Sequence, residues 1–149
     1  MKKIYLFILL TQAACGSGGP LTPVESFNGI RHAVEKNDSD VIVNYLTQSS
    51  LDKISKHNQM IRGMRSDQLA MLSVKYGYPQ DKLLNMKTSD AVSLYFFSDA
   101  ADIKLGRYFR ENIVSIDIDG KLAFVKTESG IELDFIREGP YWKFDLSNL

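Results

Sequence analysis

The stretch IVSIDIDGKLAFVKTESGIELDFIREGPYWKFDL, residues 113–146, decides the fold class of this chain of 149 residues. Apolar and polar residues alternate along it, which is typical of strands with one buried face. Turn signals interrupt the alternation at residues 119–120 (DG), 129–130 (SG) and 139–140 (GP). The stretch therefore predicts four short antiparallel strands joined by hairpins.

The simplest hairpin register, with two residues in each turn, divides the strand residues between two faces. One face is apolar, and we expect helices to cover it. Its residues are Ile113, Leu122, Phe124, Leu133, Phe135, Trp142, Phe144 and Leu146. The other face mixes apolar and charged residues, which predicts a sheet curved around a cavity or partly covered by another element.

The chain before this sheet has helical periodicity. Thr22 can cap a first helix, Pro23 suits its first turn, and Glu25 has the spacing of a capping box. Asp38 or Ser39 can cap a second helix, and amphipathic segments continue through the middle of the chain. Helices followed by strands predict an α+β fold.

We predict one α+β domain over residues 22–149, with N-terminal helices packed on a curved C-terminal antiparallel sheet of about four strands. The segments AVEKNDSDVIVNYLT, residues 33–47, and the strand stretch with its closing WKFDL resemble the nuclear transport factor 2-like superfamily. The resemblance spans residues 24–47 and 113–146, whereas the middle of the chain is more helical than is usual in that superfamily. It implies a cone-shaped fold with a pocket, found both in enzymes such as isomerases and dehydratases and in proteins that only bind.

Residues 1–14 have the layout of an export signal: two lysines, an apolar run over residues 4–10 and two alanines just before position 15. An apolar run this short cannot span a membrane, which needs about 20 residues. We therefore predict that residues 1–14 form a signal peptide that is removed.

Cys15, the single cysteine of the chain, directly follows these alanines, and the arrangement resembles the lipobox of bacterial lipoproteins. Gln12 stands where that motif usually has an aliphatic residue. The resemblance implies an acylated Cys15 that anchors the protein to a membrane of the bacterial cell envelope, with residues 15–21 forming the lipidated cysteine and a flexible tether.

The charge balance argues against a nucleic-acid-binding protein. The chain has 18 basic and 18 acidic residues, and no run rich in Lys and Arg that could neutralise phosphates. His32 and His57 lack a second ligand at metal spacing, so we predict surface histidines, no metal site and no cofactor.

An enzyme of this superfamily would need an enclosed carboxylate, and Asp117, Asp134 and Asp145 are the candidates. Asp134 faces Asp145 in the predicted register, and burial of both would raise the pKa of one of them. We expect instead that both point into solvent beside Lys143, because charged residues are mostly exposed. No set of catalytic residues is predicted.

Aromatic residues of the helical half could line a ligand pocket, although core packing explains them equally well. The candidate ligand-binding residues are Tyr76, Tyr78, Tyr95 and Phe96, together with Asp134 and Asp145 of the sheet. Four methionines could give the pocket an adaptable wall: Met60, Met64, Met71 and Met86.

Three function classes remain open. The first is a non-catalytic, membrane-anchored domain that binds an envelope protein or a small apolar ligand. The second is an enzyme with a carboxylate inside the cone. The third is an assembly module that forms a homodimer through an apolar sheet patch such as Val114, Ile116 and Ile118.

Overall fold

The computed structural model describes residues 18–99 and 104–147 of the chain. Helices precede strands throughout this part. The helices are α1 (Pro23–Glu35), α2 (Ser39–Val43), α3 (Gln48–Arg62), α4 (Ser66–Tyr76), α5 (Gln80–Leu84), α6 (Thr88–Phe97) and α7 (Leu105–Phe109). The strands are β1 (Ile113–Asp119), β2 (Leu122–Thr127), β3 (Glu132–Glu138) and β4 (Tyr141–Phe144). They form one open antiparallel sheet in the order β1-β2-β3-β4, which confirms the predicted α+β fold.

The first two helices begin where their capping residues predict. The Thr22 side chain accepts a hydrogen bond from the backbone N–H of Glu25 at 3.1 Å. Asp38 Oδ1 accepts one from the N–H of Val41 at 3.0 Å, so Asp38 is the cap of α2. Each cap satisfies a backbone N–H that has no partner within its own helix. Local chemistry therefore sets both helix starts.

The predicted register is correct for β3 and β4, where Glu138 pairs with Tyr141. It is wrong by one residue between β2 and β3, because the turn between them has an extra residue: the N–H of Thr127 donates to the carbonyl of Ile131 at 2.9 Å. Gly130 accommodates this turn with a left-handed φ of 82°.

A shift of one residue moves the side chains of β2 to the opposite face of the sheet. Ala123 and Val125 are therefore buried against the helices, whereas Leu122 and Phe124, predicted in the core, lie on the outer face. Ile116 of β1 pairs with Val125 and packs against the core. The predicted core residues from β3 to just after β4 are confirmed as buried: Leu133, Phe135, Trp142, Phe144 and Leu146.

Phenylalanine rings fill the space between the helices and the inner face of the sheet. Phe109 lies 5.1 Å from Phe144 and 5.7 Å from Phe96, measured between ring centroids. The backbones of α6 and α7 approach closely here: a Cβ on Gly106 would collide with the carbonyl oxygen of Phe96. Burial of such rings supplies much of the hydrophobic stabilisation of a domain this size.

The outer edge of β4 is covered by two other segments. Phe144 donates its N–H to the carbonyl of Tyr45 at 2.7 Å and accepts from the N–H of Thr47 at 3.0 Å. The N–H of Trp142 donates to the carbonyl of Pro20 at 2.9 Å. Residues 18–20, part of the predicted tether, therefore run along β4.

Residues 1–14 and Cys15, to which the signal peptide and the lipid anchor are assigned, lie outside the described residues. Within the described part of the chain, every helix is too short or too polar to cross a membrane.

Candidate functional site

Asp145, just after β4, is a buried carboxylate held by hydroxyl groups. It is 2% exposed. Its Oδ1 accepts hydrogen bonds from the hydroxyls of Thr47 (2.6 Å), Ser49 (2.9 Å) and Ser50 (3.2 Å), and its Oδ2 accepts one from the hydroxyl of Ser147. We call these five residues the α3–β4 junction. The expectation that Asp145 points into solvent beside Lys143 is wrong.

The junction forms because the capping residues of α3 meet the end of β4. Thr47 caps α3 by accepting from the N–H of Ser50 at 3.1 Å. The hydroxyl of Ser50 also accepts from the N–H of Leu146 at 2.6 Å. The positive end of the helix dipole favours the carboxylate of Asp145 at this position. The junction thus fastens the start of α3 to the end of the sheet.

The pKa of Asp145 reflects two opposing effects. Burial acts to raise the pKa, but the hydroxyls of Ser147, Thr47, Ser49 and Ser50 stabilise the charged form and bring the pKa below its usual value. A carboxylate that stays charged, with both oxygens occupied by its own chain, is a poor general base. Asp145 is therefore suited to a structural role.

The other two carboxylate candidates are not enclosed. Asp134 is half-buried on the outer face of the sheet, and its carbonyl accepts from the N–H of Asp145 at 2.8 Å, so the predicted pairing of these residues is confirmed. Asp117 on β1 is exposed. Of the three candidates only Asp145 meets the condition of burial, and its pKa is shifted in the direction opposite to the one that a general base requires.

A second polar cluster lines an open cleft of about 560 Å³ between α3 and α6, which we call the α3–α6 cleft. Its lining residues are Ser49, Asp52, Lys53, Lys56, His57 and Met60 of α3 and Tyr95 of α6. The α3 residues recur at spacings of three and four, so they lie on one side of the helix. The opposite side carries Ile54 and Ile61 into the core.

His57 and Tyr95 form the central contact of the cleft. The Tyr95 hydroxyl lies 3.2 Å from His57 Nδ1, and the ring centroids are 6.3 Å apart. Burial lowers the pKa of His57, so the imidazole is neutral at pH 7. Burial, and then the charge of Tyr76, raises the pKa of Tyr95, which keeps its proton. The hydroxyl and the neutral imidazole share one hydrogen bond, whose direction is set by the imidazole tautomer.

The two histidines differ in their surroundings. His32 is exposed, as predicted. His57 is half-buried in the cleft, so the prediction of a surface histidine is wrong for this residue. Its polar KHNQ context gives no sign of a partner, because Tyr95 lies 38 positions further along the chain.

The aromatic candidates do not come together in one pocket. Tyr95 lines the cleft, but Phe96, next to it in sequence, is 2% exposed and belongs to the core. Tyr76 and Tyr78 are half-buried around α4 and α5, where Lys82 Nζ lies 4.0 Å above the ring of Tyr78. Adjacent residues on a helix point about 100° apart, which separates Tyr95 from Phe96.

The methionines are likewise divided. Met60 is 64% exposed at the cleft, and Met71 is 75% exposed on α4. Met86 is 2% exposed in the core, and Met64 packs partly buried against it. Met60 alone among these four belongs to the lining of the cleft.

No group of three or more His, Cys, Asp or Glu side chains within residues 18–99 and 104–147 is placed to hold a metal ion. Comparison of the chain with protein-family models, with curated proteins and with solved structures found no match.

Proposed function

We propose that this chain is a non-catalytic, membrane-anchored lipoprotein of the bacterial cell envelope that binds a small ligand with an apolar part in the α3–α6 cleft. The observation that carries the proposal is the cleft itself, where an exposed methionine and an aromatic ring lie beside cationic side chains. Sites for small molecules typically combine apolar walls with a few polar groups in a volume of about 300–1,000 Å³. An envelope protein that inserts an apolar side chain is the alternative occupant.

We further propose that the domain is a nuclear transport factor 2-like cone. The pairing of α1 with α2 and the antiparallel meander from β1 to β4 support this. The helical middle of the chain, from α3 to α6, distinguishes it from the usual members, and this helical insertion supplies both walls of the cleft.

The proposed anchor would hold the domain close to the membrane. The carbonyl of Pro20 accepts a hydrogen bond from the N–H of Trp142, and a Cβ on Gly19 would lie 2.9 Å from the ring of Tyr141. The chain therefore lies against β4 from about residue 18. Only three residue steps separate Cys15 from Gly18, a span of at most roughly 10 Å. A lipidated Cys15 therefore leaves the domain little freedom to move away from the bilayer.

The anchor is tested by expressing the full chain and its Cys15→Ser variant in a bacterial host. We expect the mature wild-type protein, extracted from membranes with detergent, to begin at Cys15 and to carry acyl mass. The variant should leave the membrane fraction or accumulate as an uncleaved precursor, with an unchanged circular dichroism spectrum. A soluble wild-type chain without acyl mass, cut elsewhere, would refute the anchor.

Assembly through β1 is a second candidate function, favoured by one observation. Val114 and Ile118 are 63% and 59% exposed on this edge strand, whereas Ile116 packs partly buried against the core. Exposed apolar residues on an edge strand favour pairing with another strand. A dimer detected by sedimentation that Ile118→Asp dissociates would support this function, and a monomer at high concentration would argue against it.

A further inference from the structure

We infer that the α3–α6 cleft takes a monoanionic amphiphile, a molecule with one carboxylate and an alkyl or aryl tail. The inference rests on the proposed binding function and names the chemical class of its ligand. Two features of the lining carry it: a net positive charge of one, and an apolar wall one helical turn away from the cations.

The charge of the lining favours a single negative charge on the ligand. Lys53 and Lys56 contribute two positive charges and Asp52 one negative charge, while His57 is neutral at pH 7. A carboxylate would balance this lining, whereas a dianionic phosphate would leave an excess negative charge beside Asp52. A cationic amphiphile would meet a lining of its own sign.

The two lysines have different positions in the cleft. Lys53 Nζ donates to the carbonyls of Leu146 at 3.1 Å and Ser147 at 3.3 Å, which fixes a positive charge at the end of the cleft near the α3–β4 junction. Lys56 is exposed one turn further along α3. The long side chain of Lys56 can follow a ligand headgroup, so this residue is the natural partner of the carboxylate.

The apolar wall begins one turn beyond Lys56. Met60 follows it by four residues, a rise of about 6 Å along the helix. The thioether of Met60 adapts to ligands of different shape, and the ring of Tyr95 forms the facing wall on α6. A ligand lying along α3 with its carboxylate at Lys56 would therefore place its tail between Met60 and Tyr95.

The test uses the full chain, purified from a bacterial host, reconstituted in lipid nanodiscs and labelled with ¹³C at the methionine methyl groups. The probe is octanoate, compared with octylamine and 1-octanol, which have the same tail length but a positive charge or none. Met60 reports the cleft, Met71 reports exposed surface outside it, and Met86 reports the core. Loss of one signal in Met60→Leu assigns the cleft resonance.

We expect octanoate to shift the Met60 methyl resonance saturably and to leave Met71 and Met86 in place. Octylamine should bind about tenfold more weakly, because exposed ion pairs differ from like-charge contacts by roughly that factor. Lys56→Glu should weaken octanoate about tenfold and strengthen octylamine. Lys121→Glu, the same charge change at an exposed hairpin residue away from the cleft, should change both affinities by no more than about twofold.

Each contrary result has a distinct meaning. If octanol or octylamine saturates the Met60 shift as well as octanoate does, or if Lys56→Glu behaves like Lys121→Glu, the anionic class is wrong while the proposed binding function stands. If no amphiphile shifts Met60, both the inference and the proposed binding of a small ligand in this cleft are overturned. Equal shifts at Met60 and Met71 would show surface partitioning and would also overturn the inference.

Discussion

The α3–β4 junction and the α3–α6 cleft lie on the same helix and share Ser49, yet they differ in how their polar groups are satisfied. At the junction, the oxygens of Asp145 accept four hydroxyl hydrogen bonds from the chain itself. In the cleft, the Tyr95 hydroxyl contacts His57 Nδ1 across the two helices, whereas Lys56 and Met60 are exposed to open space. One cluster is closed and the other is accessible.

Whether a polar group is already satisfied within the chain decides whether it can bind a ligand or only stabilise the fold. A buried charge must be compensated within the protein, because leaving it unpaired costs several kcal/mol. Once compensated as completely as Asp145 is, it has no capacity left for a substrate. Groups that border an open cleft keep that capacity, since water satisfies them until a ligand replaces it. Burial of a carboxylate alone therefore does not identify a catalytic site in this fold.

The largest expected effect is at the closed cluster. Asp145→Ala removes the acceptor shared by Thr47, Ser49, Ser50 and Ser147 and should lower the free energy of unfolding by about 3 kcal/mol. Urea denaturation followed by the fluorescence of the single tryptophan measures this. Asp117→Ala, at an exposed aspartate, is the matched control and should cost less than about 0.5 kcal/mol. If the two variants lowered the free energy of unfolding equally, the α3–β4 junction would not be a specific source of stability.

A smaller effect should appear in the pH dependence of stability. The pKa of Asp145 is lower in the folded chain than its ordinary value of 3.8, so the stability that the charged form contributes is fully present above about pH 4. It is lost as the pH falls through the lowered folded pKa. The stability difference between wild type and Asp145→Asn should therefore shrink on acidification, as measured by urea denaturation at a series of pH values. A difference that stays constant down to about pH 2 would contradict the lowered pKa.

The smallest expected effect is at the open cluster. Tyr95→Phe removes the hydroxyl that is hydrogen-bonded to His57 Nδ1 and should cost no more than about 1 kcal/mol, because both groups are half-buried and water can replace the bond. Tyr45→Phe, at another half-buried tyrosine, controls for loss of a hydroxyl. If Tyr95→Phe lowered the free energy of unfolding as much as Asp145→Ala does, the contact between His57 and Tyr95 would also be a major source of stability. The contrast between the two clusters would then disappear.

The elements of the fold could be predicted from local patterns. Thr22 and Asp38 mark two helix starts, and the short turn after Glu138 sets the register of β3 and β4. The faces of β2 could not be predicted, because one additional residue in the turn before Ile131 reverses them. Turn length is a property of local backbone geometry that residue types such as Ser-Gly do not specify uniquely.

The candidate site was predictable only in part. The aromatic run at residues 95–97 predicts Tyr95 as a candidate pocket residue, and it lines the cleft. His57 was missed, although the spacing of Ser49, Lys53, Lys56 and Met60 marks one continuous side of α3. Such a mixed polar side is ordinary for a solvated helix. Only the position of α6 beside α3 turns it into the wall of a cleft.

The α+β class, the caps of α1 and α2 and the four strands follow from the sequence alone, because they depend on periodicity and on interactions between near neighbours. Only the packing of the whole chain encloses Asp145 and brings His57 to Tyr95. These contacts join residues that are far apart along the chain: Thr47 and Asp145 are separated by 98 positions. A hydroxyl and a carboxylate at that distance carry no local signal of their contact, and only the packing of the whole chain brings them together.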